Sequence, residues 1–310
     1  MYPFRNVLIG LDLSDLDLTL LEFAKRIYQS ENTERVYFIN VVRNFDISEG
    51  LLKQFPDMVQ RAMEERREMM KHAVEQAFGE LLSETKAHMV VKEGGIAKAM
   101  LNASIELDID LIVLGRRQQG EDNGGFLAQR MARRAACSLA IVPEGSQPEM
   151  KRLLVPSDFS EYATLALEEA IDIARRNEGD NVEVVVQNVY TIPTGWHYSG
   201  KTKEEFAEVV KENAKRDYLA WIASIDTEGV NLRDVYSLDQ NDNPATDIYD
   251  MAHEIQADAI IFGAKGRTAT TAFFIGSIAE WVIQLDSEFP LLVIRPKGKN
   301  AGIMDIINNI

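Results

Sequence analysis

Short apolar runs recur along the chain without strict alternation, at residues 7–11, 36–42, 111–114, 153–155, 182–189 and 259–262. Runs of this length, apolar at consecutive positions, predict strands buried on both faces. Helical spacing takes over between them. Leu16, Leu20, Phe23, Ala24 and Ile27 fall on one face, as do Ala163, Ala166, Leu167, Ala170 and Ala174. Met63, Met70, Val74, Ala77 and Leu81 make a later stripe, matched by Phe206, Val210, Ala214 and Trp221. A helix with one apolar stripe lays it on a core. Strands alternating with such helices give βαβ units, hence parallel sheets covered on both sides.

The pattern occurs twice. The segment RNVLIGLDLS from Arg5 to Ser14 returns as KRLLVPSDFS from Lys151 to Ser160. DLIVLG from Asp110 to Gly115 returns as DAIIFG from Asp258 to Gly263, and AIVP ending at Pro143 returns as VIRP ending at Pro296. The spacings between copies are 146, 148 and 153 residues, in the same order, which argues for a duplication. The expected fold is α/β, with two tandem doubly wound, Rossmann-like parallel-sheet domains over residues 1–146 and 147–310, packed as a pseudo-dimer. The polar, Gly- and Pro-containing stretch 144–150 is the expected connection, and strands 139–142 and 291–294 are expected near the contact. Ile303, Ile306, Ile307 and Ile310 at helical spacing predict a short terminal helix that caps its own domain, with an oligomer contact as the alternative.

Length and charge narrow the function. A chain of 310 residues, 46% hydrophobic and 26% charged, is long enough for two cores. A net charge of −16 disfavours non-specific binding to nucleic acid or to an anionic membrane. Cys137 is the one cysteine, which excludes an intramolecular disulfide framework. No apolar stretch reaches transmembrane length and Met1 opens no signal-peptide pattern, so a cytoplasmic location is expected.

The candidate chemistry follows the strand at 259–262. Gly263, Gly266, Gly276 and Ser277 read G-x2-G-x9-G-S. Glycines allow close backbone approach to a ligand, and a Gly-Ser pair opening a helix offers N–H groups, a hydroxyl and the positive end of the helix dipole. In a doubly wound sheet the ligand crevice lies beyond the carboxyl ends of the strands, at the switch point. Pro156 and Asp158 end the first strand there, Val189 the second and Phe262 the fourth. A carboxylate, an apolar wall and backbone donors converging with a helix start suit an adenosine phosphate.

These residues carry a resemblance. The second copy resembles a universal stress protein domain of the ATP-binding type, and the whole chain resembles tandem two-domain members of that family. The resemblance implies that Asp158 contacts ribose, that Val189 and Phe262 border adenine, and that Gly263, Gly266, Gly276, Ser277 and Ile278 line the phosphates. It implies ATP, ADP or AMP as ligand, with or without Mg²⁺, a homodimer, and a regulatory stress-response role. The first copy departs from the pattern. Arg116, Arg117 and Gln118 follow Gly115, the interval from Gly115 to Gly125 is ten residues against thirteen from Gly263 to Gly276, and Phe126 stands in place of the serine. With no hydroxyl and a bulky ring there, the first domain is expected to bind nucleotide weakly or not at all, although Asp12 and Val41 persist.

Other features have plainer readings. Ser14 and Ser160 are candidate helix N-caps, with Asp17 as a capping partner. Lys265 and Arg267 are secondary phosphate candidates, solvated by default. His72, His88, His197 and His253 are scattered, and no metal motif is present. Cys137 and the methionines at 58, 63, 69 and 70 read as core filling. Neither G-x4-G-K-[ST] nor G-x-G-x-x-G occurs, and no catalytic residue is assigned. A weak ATP hydrolase or phosphotransferase, or a scaffold for an apolar ligand with the aromatic segment 190–198 as a lid, are the alternatives.

Overall fold

The computed structural model describes residues 4–42, 54–83, 85–117, 124–177, 181–266, 275–285 and 288–296. Gln118, Arg267, most of the nine-residue interval before Gly276, and the tail 301–310 lie outside the described residues. Two compact units form, one over residues 2–148 and one over 149–295. The first runs β1 (Asn6–Gly10), α1 (Leu16–Gln29), β2 (Arg35–Val42), α2 (Met58–Phe78), β3 (Ala87–Glu93), α3 (Ile96–Glu106), β4 (Leu111–Arg116), α4 (Gly124–Arg134) and β5 (Ser138–Pro143). The second repeats the order with β6 (Arg152–Pro156), α5 (Glu161–Arg176), β7 (Glu183–Tyr190), α6 (Lys203–Ile222), β8 (Asn231–Leu238), α7 (Pro244–Glu254), β9 (Ala259–Gly263), α8 (Ser277–Gln284) and β10 (Leu291–Ile294).

Within the first unit the strand order is β3-β2-β1-β4-β5, and within the second β8-β7-β6-β9-β10. The described pairings are parallel. The direction of winding reverses between β1 and β4, and between β6 and β9, so each unit has its switch point at the carboxyl ends of those strands. Central strands are sealed on both faces: Val7, Leu8 and Ile9 in β1, and Leu153, Leu154 and Val155 in β6, expose nothing. That burial is what the unbroken apolar runs imply.

The repeated aspartates that immediately precede β4 and β9 serve this ladder. Asp110 accepts the N–H of Asn6 at 2.8 Å, and Asp258 accepts the N–H groups of Lys151 and Arg152, each at 2.8 Å. Each carboxylate thus extends the pairing of the first strand by a side-chain acceptor. Helix stripes bury as expected over Leu16, Leu20, Phe23 and Ala24, and over Ala163 to Ala174. Two expectations need correction. Leu81 is exposed on a short 3₁₀ turn beyond α2, because the helix ends at Phe78 and Gly79 turns the chain at φ +55°. Of the methionines read as core, Met70 is fully buried but Met58 and Met69 stand about half exposed. Cys137 is buried immediately before β5.

Candidate functional site

Strand β6 delivers Pro156 to the carboxyl edge of the sheet, and the chain then turns tightly. Ser157 N–H donates to the Gln187 carbonyl at 2.8 Å, extending the pairing with β7. Phe159 follows at φ +61°, a left-handed conformation costly for a residue with a β-carbon. Two local bonds hold it: Phe159 N–H donates to Ser157 Oγ, and Ser160 N–H to Asp158 Oδ1, each at 3.1 Å. The turn aims the half-buried Asp158 carboxylate along the sheet edge. Ser160 then caps α5, its Oγ accepting the N–H of Ala163 at 3.3 Å. Ser160→Ala is expected to cost the second unit about 1 kcal/mol, read as a lower urea midpoint with unchanged slope.

From β9 the glycines meet this turn. A β-carbon on Gly266 would lie 2.7 Å from Asp158 Oδ2, so the loop backbone rests against that carboxylate. Gly276 N–H donates to the Ala264 carbonyl at 2.7 Å, and a β-carbon there would sit 3.5 Å from Gly266 N. Asp158, Gly266 and Gly276 are therefore gathered into one cluster. Gly263 is at the same edge, packed on the backbone of Tyr162 in the first turn of α5. Gly276 is the N-cap of α8, Ser277 and Ile278 stand exposed in the first turn, and the first N–H groups of α8 receive no side-chain cap bond from Gly276. Val189 lies one strand outward, paired with Ser237 of β8. Phe262 is 5% exposed and its ring belongs to the core, so its backbone is what it can present.

The sequence did not single out Arg295 or Tyr162. Arg295, buried at the end of β10, lowers the pKa of Lys265 together with the larger effect of burial, so two cations share this edge. Lys265 also lies over the Tyr162 ring, 5.5 Å from its centroid. Arg295 and Lys265 come from chain segments distant from the strand-one turn, and only the fold brings them beside it and Tyr162. The aromatic segment after β7 forms a 3₁₀ helix (Thr194–Ser199) on which Tyr198 is 88% exposed.

The first unit keeps the turn and alters its surroundings. Leu13 repeats the left-handed conformation at φ +62°, and Ser14 N–H donates to Asp12 Oδ1 at 3.1 Å. Ser14 is not the N-cap: its hydroxyl binds Asp12, and Asp15 begins α1 without a side-chain cap bond. Asp17 reaches back instead, accepting the N–H groups of Asp12 at 3.1 Å and Leu13 at 2.8 Å. Arg117, at the position of Lys265, pairs with Asp12 Oδ2 at 3.0 Å. Phe126, in the place of Ser277, is 66% exposed. The acid that the second unit sets against a glycine loop is here covered by a guanidinium.

Burial pushes the Asp17 carboxyl up from 3.8 to about 6, against its two backbone hydrogen bonds and helped by the nearby Asp12 carboxylate. Between these values the folded chain holds a proton that the unfolded chain has released. The group's contribution to stability is full below pH 4 and declines as the pH rises to about 6. Asp17→Asn is expected to flatten this part of the pH profile relative to the unaltered chain, in urea midpoints compared at pH 4, 5, 6 and 7.

Among the described residues no helix is long and apolar enough to cross a membrane, and no three potential metal-ligating side chains are gathered. The family model of the universal stress protein family matches residues 3–143 and again 149–295. A universal stress protein of Methanocaldococcus jannaschii is 30% identical over 155 residues, covering 48% of this chain and 84% of that protein. The crystal structure of a universal stress protein from Archaeoglobus fulgidus covers 95% of this chain and 97% of its own, with a TM-score of 0.62 and 17% identity. A universal stress protein crystallised in complex with cAMP covers 47% of this chain and 97% of its own, at a TM-score of 0.31 and 16% identity.

Proposed function

The chain belongs to the universal stress protein family as a tandem of two such domains, and from that premise we propose that its second unit binds an adenine nucleotide in a regulatory rather than catalytic role. The observation that carries this reading is the cluster of Asp158, Gly266 and Gly276, where loop backbone lies against a carboxylate beside an uncapped helix start. The carboxylate suits ribose hydroxyls, which donate hydrogen bonds. The start of α8 and the cations Lys265 and Arg295 suit phosphates. Val189 and the Phe262 backbone border the space an adenine ring would need. ATP, ADP and AMP share these features, with Mg²⁺ as counter-ion where the phosphate chain calls for one.

The first unit is silent toward nucleotide in this reading. Its Asp12 is engaged by Arg117, and its Phe126 offers a ring where the second unit offers a hydroxyl. One occupied and one silent domain in a single chain make nucleotide a signal read through half the molecule. Such a signal needs different affinities for two conformations, since tight binding alone shifts no equilibrium. The reading is tested by denaturing the purified protein and measuring the nucleotide released. About one adenine nucleotide per chain is expected; none released, with no binding of added ATP or AMP in calorimetry, overturns it. Asp158→Asn is expected to weaken binding about tenfold, the loss of one charge-assisted hydrogen bond.

A further inference from the structure

The two units differ sharply at one place outside the nucleotide cluster. In the second, the space between the start of α5 and the end of α6 is filled with rings. Phe159 lies 5.3 Å from Trp221 and 6.2 Å from Tyr218, centroid to centroid, and the Trp221 indole N–H donates to Thr164 Oγ1 at 2.8 Å. In the first unit Leu13 stands where Phe159 does, with the same left-handed backbone, and Leu18 stands where Thr164 does. No indole covers Leu18, which is 68% exposed. A groove of about 500 Å³ opens instead between α1 and α2, walled by Leu18, Leu21, Met69 and Ala73.

Its chemistry is directional. Asp15, Asp17 and Glu22 also line it, and its described lining includes no lysine or arginine. Glu22 is paired with Lys25 at 3.0 Å, which leaves the exposed Asp15 as the acidic end, with Asp17 buried behind it at the helix start. The volume falls in the range of small-molecule sites, and Met69 supplies a polarizable, adaptable wall. We infer that this groove is a binding site for a small aromatic cation, its ring taking the place that the second unit fills with its own rings and its ammonium directed to the exposed Asp15, with the buried, backbone-bonded Asp17 behind it. An aromatic anion meets the same apolar walls and the wrong charge. Because Asp17 also holds the backbone N–H groups of Asp12 and Leu13, an occupant touches the turn that carries the Arg117 ion pair.

Three indoles of equal ring and different charge test this on the full chain: tryptamine, the neutral tryptophol and indole-3-acetate. With methyl-¹³C methionine labelling, and Met69 assigned by Met69→Leu, tryptamine is expected to shift the Met69 resonance saturably. Its dissociation constant should lie about tenfold below that of tryptophol, with indole-3-acetate weaker still. Ala73→Trp, which brings an indole of its own to the groove, is expected to abolish the shift. Asp15→Asn, a surface change that leaves the fold intact, should bring tryptamine to within about threefold of tryptophol. No saturable Met69 shift, equal affinity for all three indoles, or unchanged tryptamine binding in Asp15→Asn overturns the assignment.

Discussion

Gly263→Ala is expected to destabilise the second unit by about 2–3 kcal/mol, whereas the matching Gly115→Ala costs the first unit about 1 kcal/mol or less. Gly263 is the last residue of β9 and Gly115 the last but one of β4, each where the first turn of a helix crosses the strand. A β-carbon on Gly263 would meet the Tyr162 carbonyl carbon at 2.6 Å and its Cβ at 2.7 Å, and the carbonyl oxygen closer still. The carbonyl carbon and oxygen are backbone of α5 and the Tyr162 β-carbon is fixed to it, so relief requires moving the helix off β9. A β-carbon on Gly115 would meet Leu16 Cδ2 at 2.6 Å and Cγ at 2.8 Å. A leucine side chain can change rotamer, and the entropy lost by removing glycine from the unfolded chain offsets part of that cost. Trp196, Trp221 and Trp281 all belong to the second unit, so tryptophan fluorescence follows its unfolding selectively. Urea midpoints by fluorescence should fall for Gly263→Ala; the first unit, which holds no tryptophan, is followed by amide hydrogen exchange, where Gly115→Ala should lower the opening free energy by no more than about 1 kcal/mol. Equal effects would show that α5 gives way as easily as a side chain.

What the sequence made legible follows from which interactions are local. Central strands such as β1 and β6 are apolar at every inward and outward position, and their runs stand out. Strands β3 and β8 escaped notice because few of their residues are fully buried, unlike those of β5 and β10. In β8, Arg233 and Asp234 break the apolar run, and most of its residues are half-buried or exposed. The site divides in the same way. Asp158 and the glycines of the loop are readable because a turn, a close approach and a helix start each need particular residue types at short spacing. Arg295, Tyr162 and the pairing of Arg117 with Asp12 are not readable, since each depends on segments that only sheet topology brings together. The half-exposed Met69 illustrates a further limit: a helical stripe shows which face is apolar and leaves open whether a neighbour covers it. In the second unit Trp221 of the matching helix reaches across to Thr164 and fills the space; in the first, a groove remains.

Gly276→Asp is expected to weaken adenine nucleotide binding about a hundredfold while leaving the second unit at least as stable as before. The separation of the two effects is the point of the substitution. A β-carbon at this position meets Gly266 N at 3.5 Å, Lys265 Cα at 3.6 Å and the Ala264 carbonyl at 3.7 Å, all ordinary contacts. Its backbone, at φ −63° and ψ 147°, is one that any residue adopts. Aspartate is among the best N-caps, and its carboxylate would take the first N–H groups of α8, where Gly276 now supplies no side-chain bond. Those are the groups proposed to hold phosphate. The new charge therefore competes with the ligand as an intramolecular anion and repels what it does not displace. Gly276→Ala has the same backbone demand and no charge, and should retain binding within about threefold. Calorimetric titration of both variants with ATP, beside their thermal unfolding, decides the matter: binding unchanged in Gly276→Asp places the phosphates elsewhere, and binding lost equally in Gly276→Ala makes loop shape, not charge, the determinant.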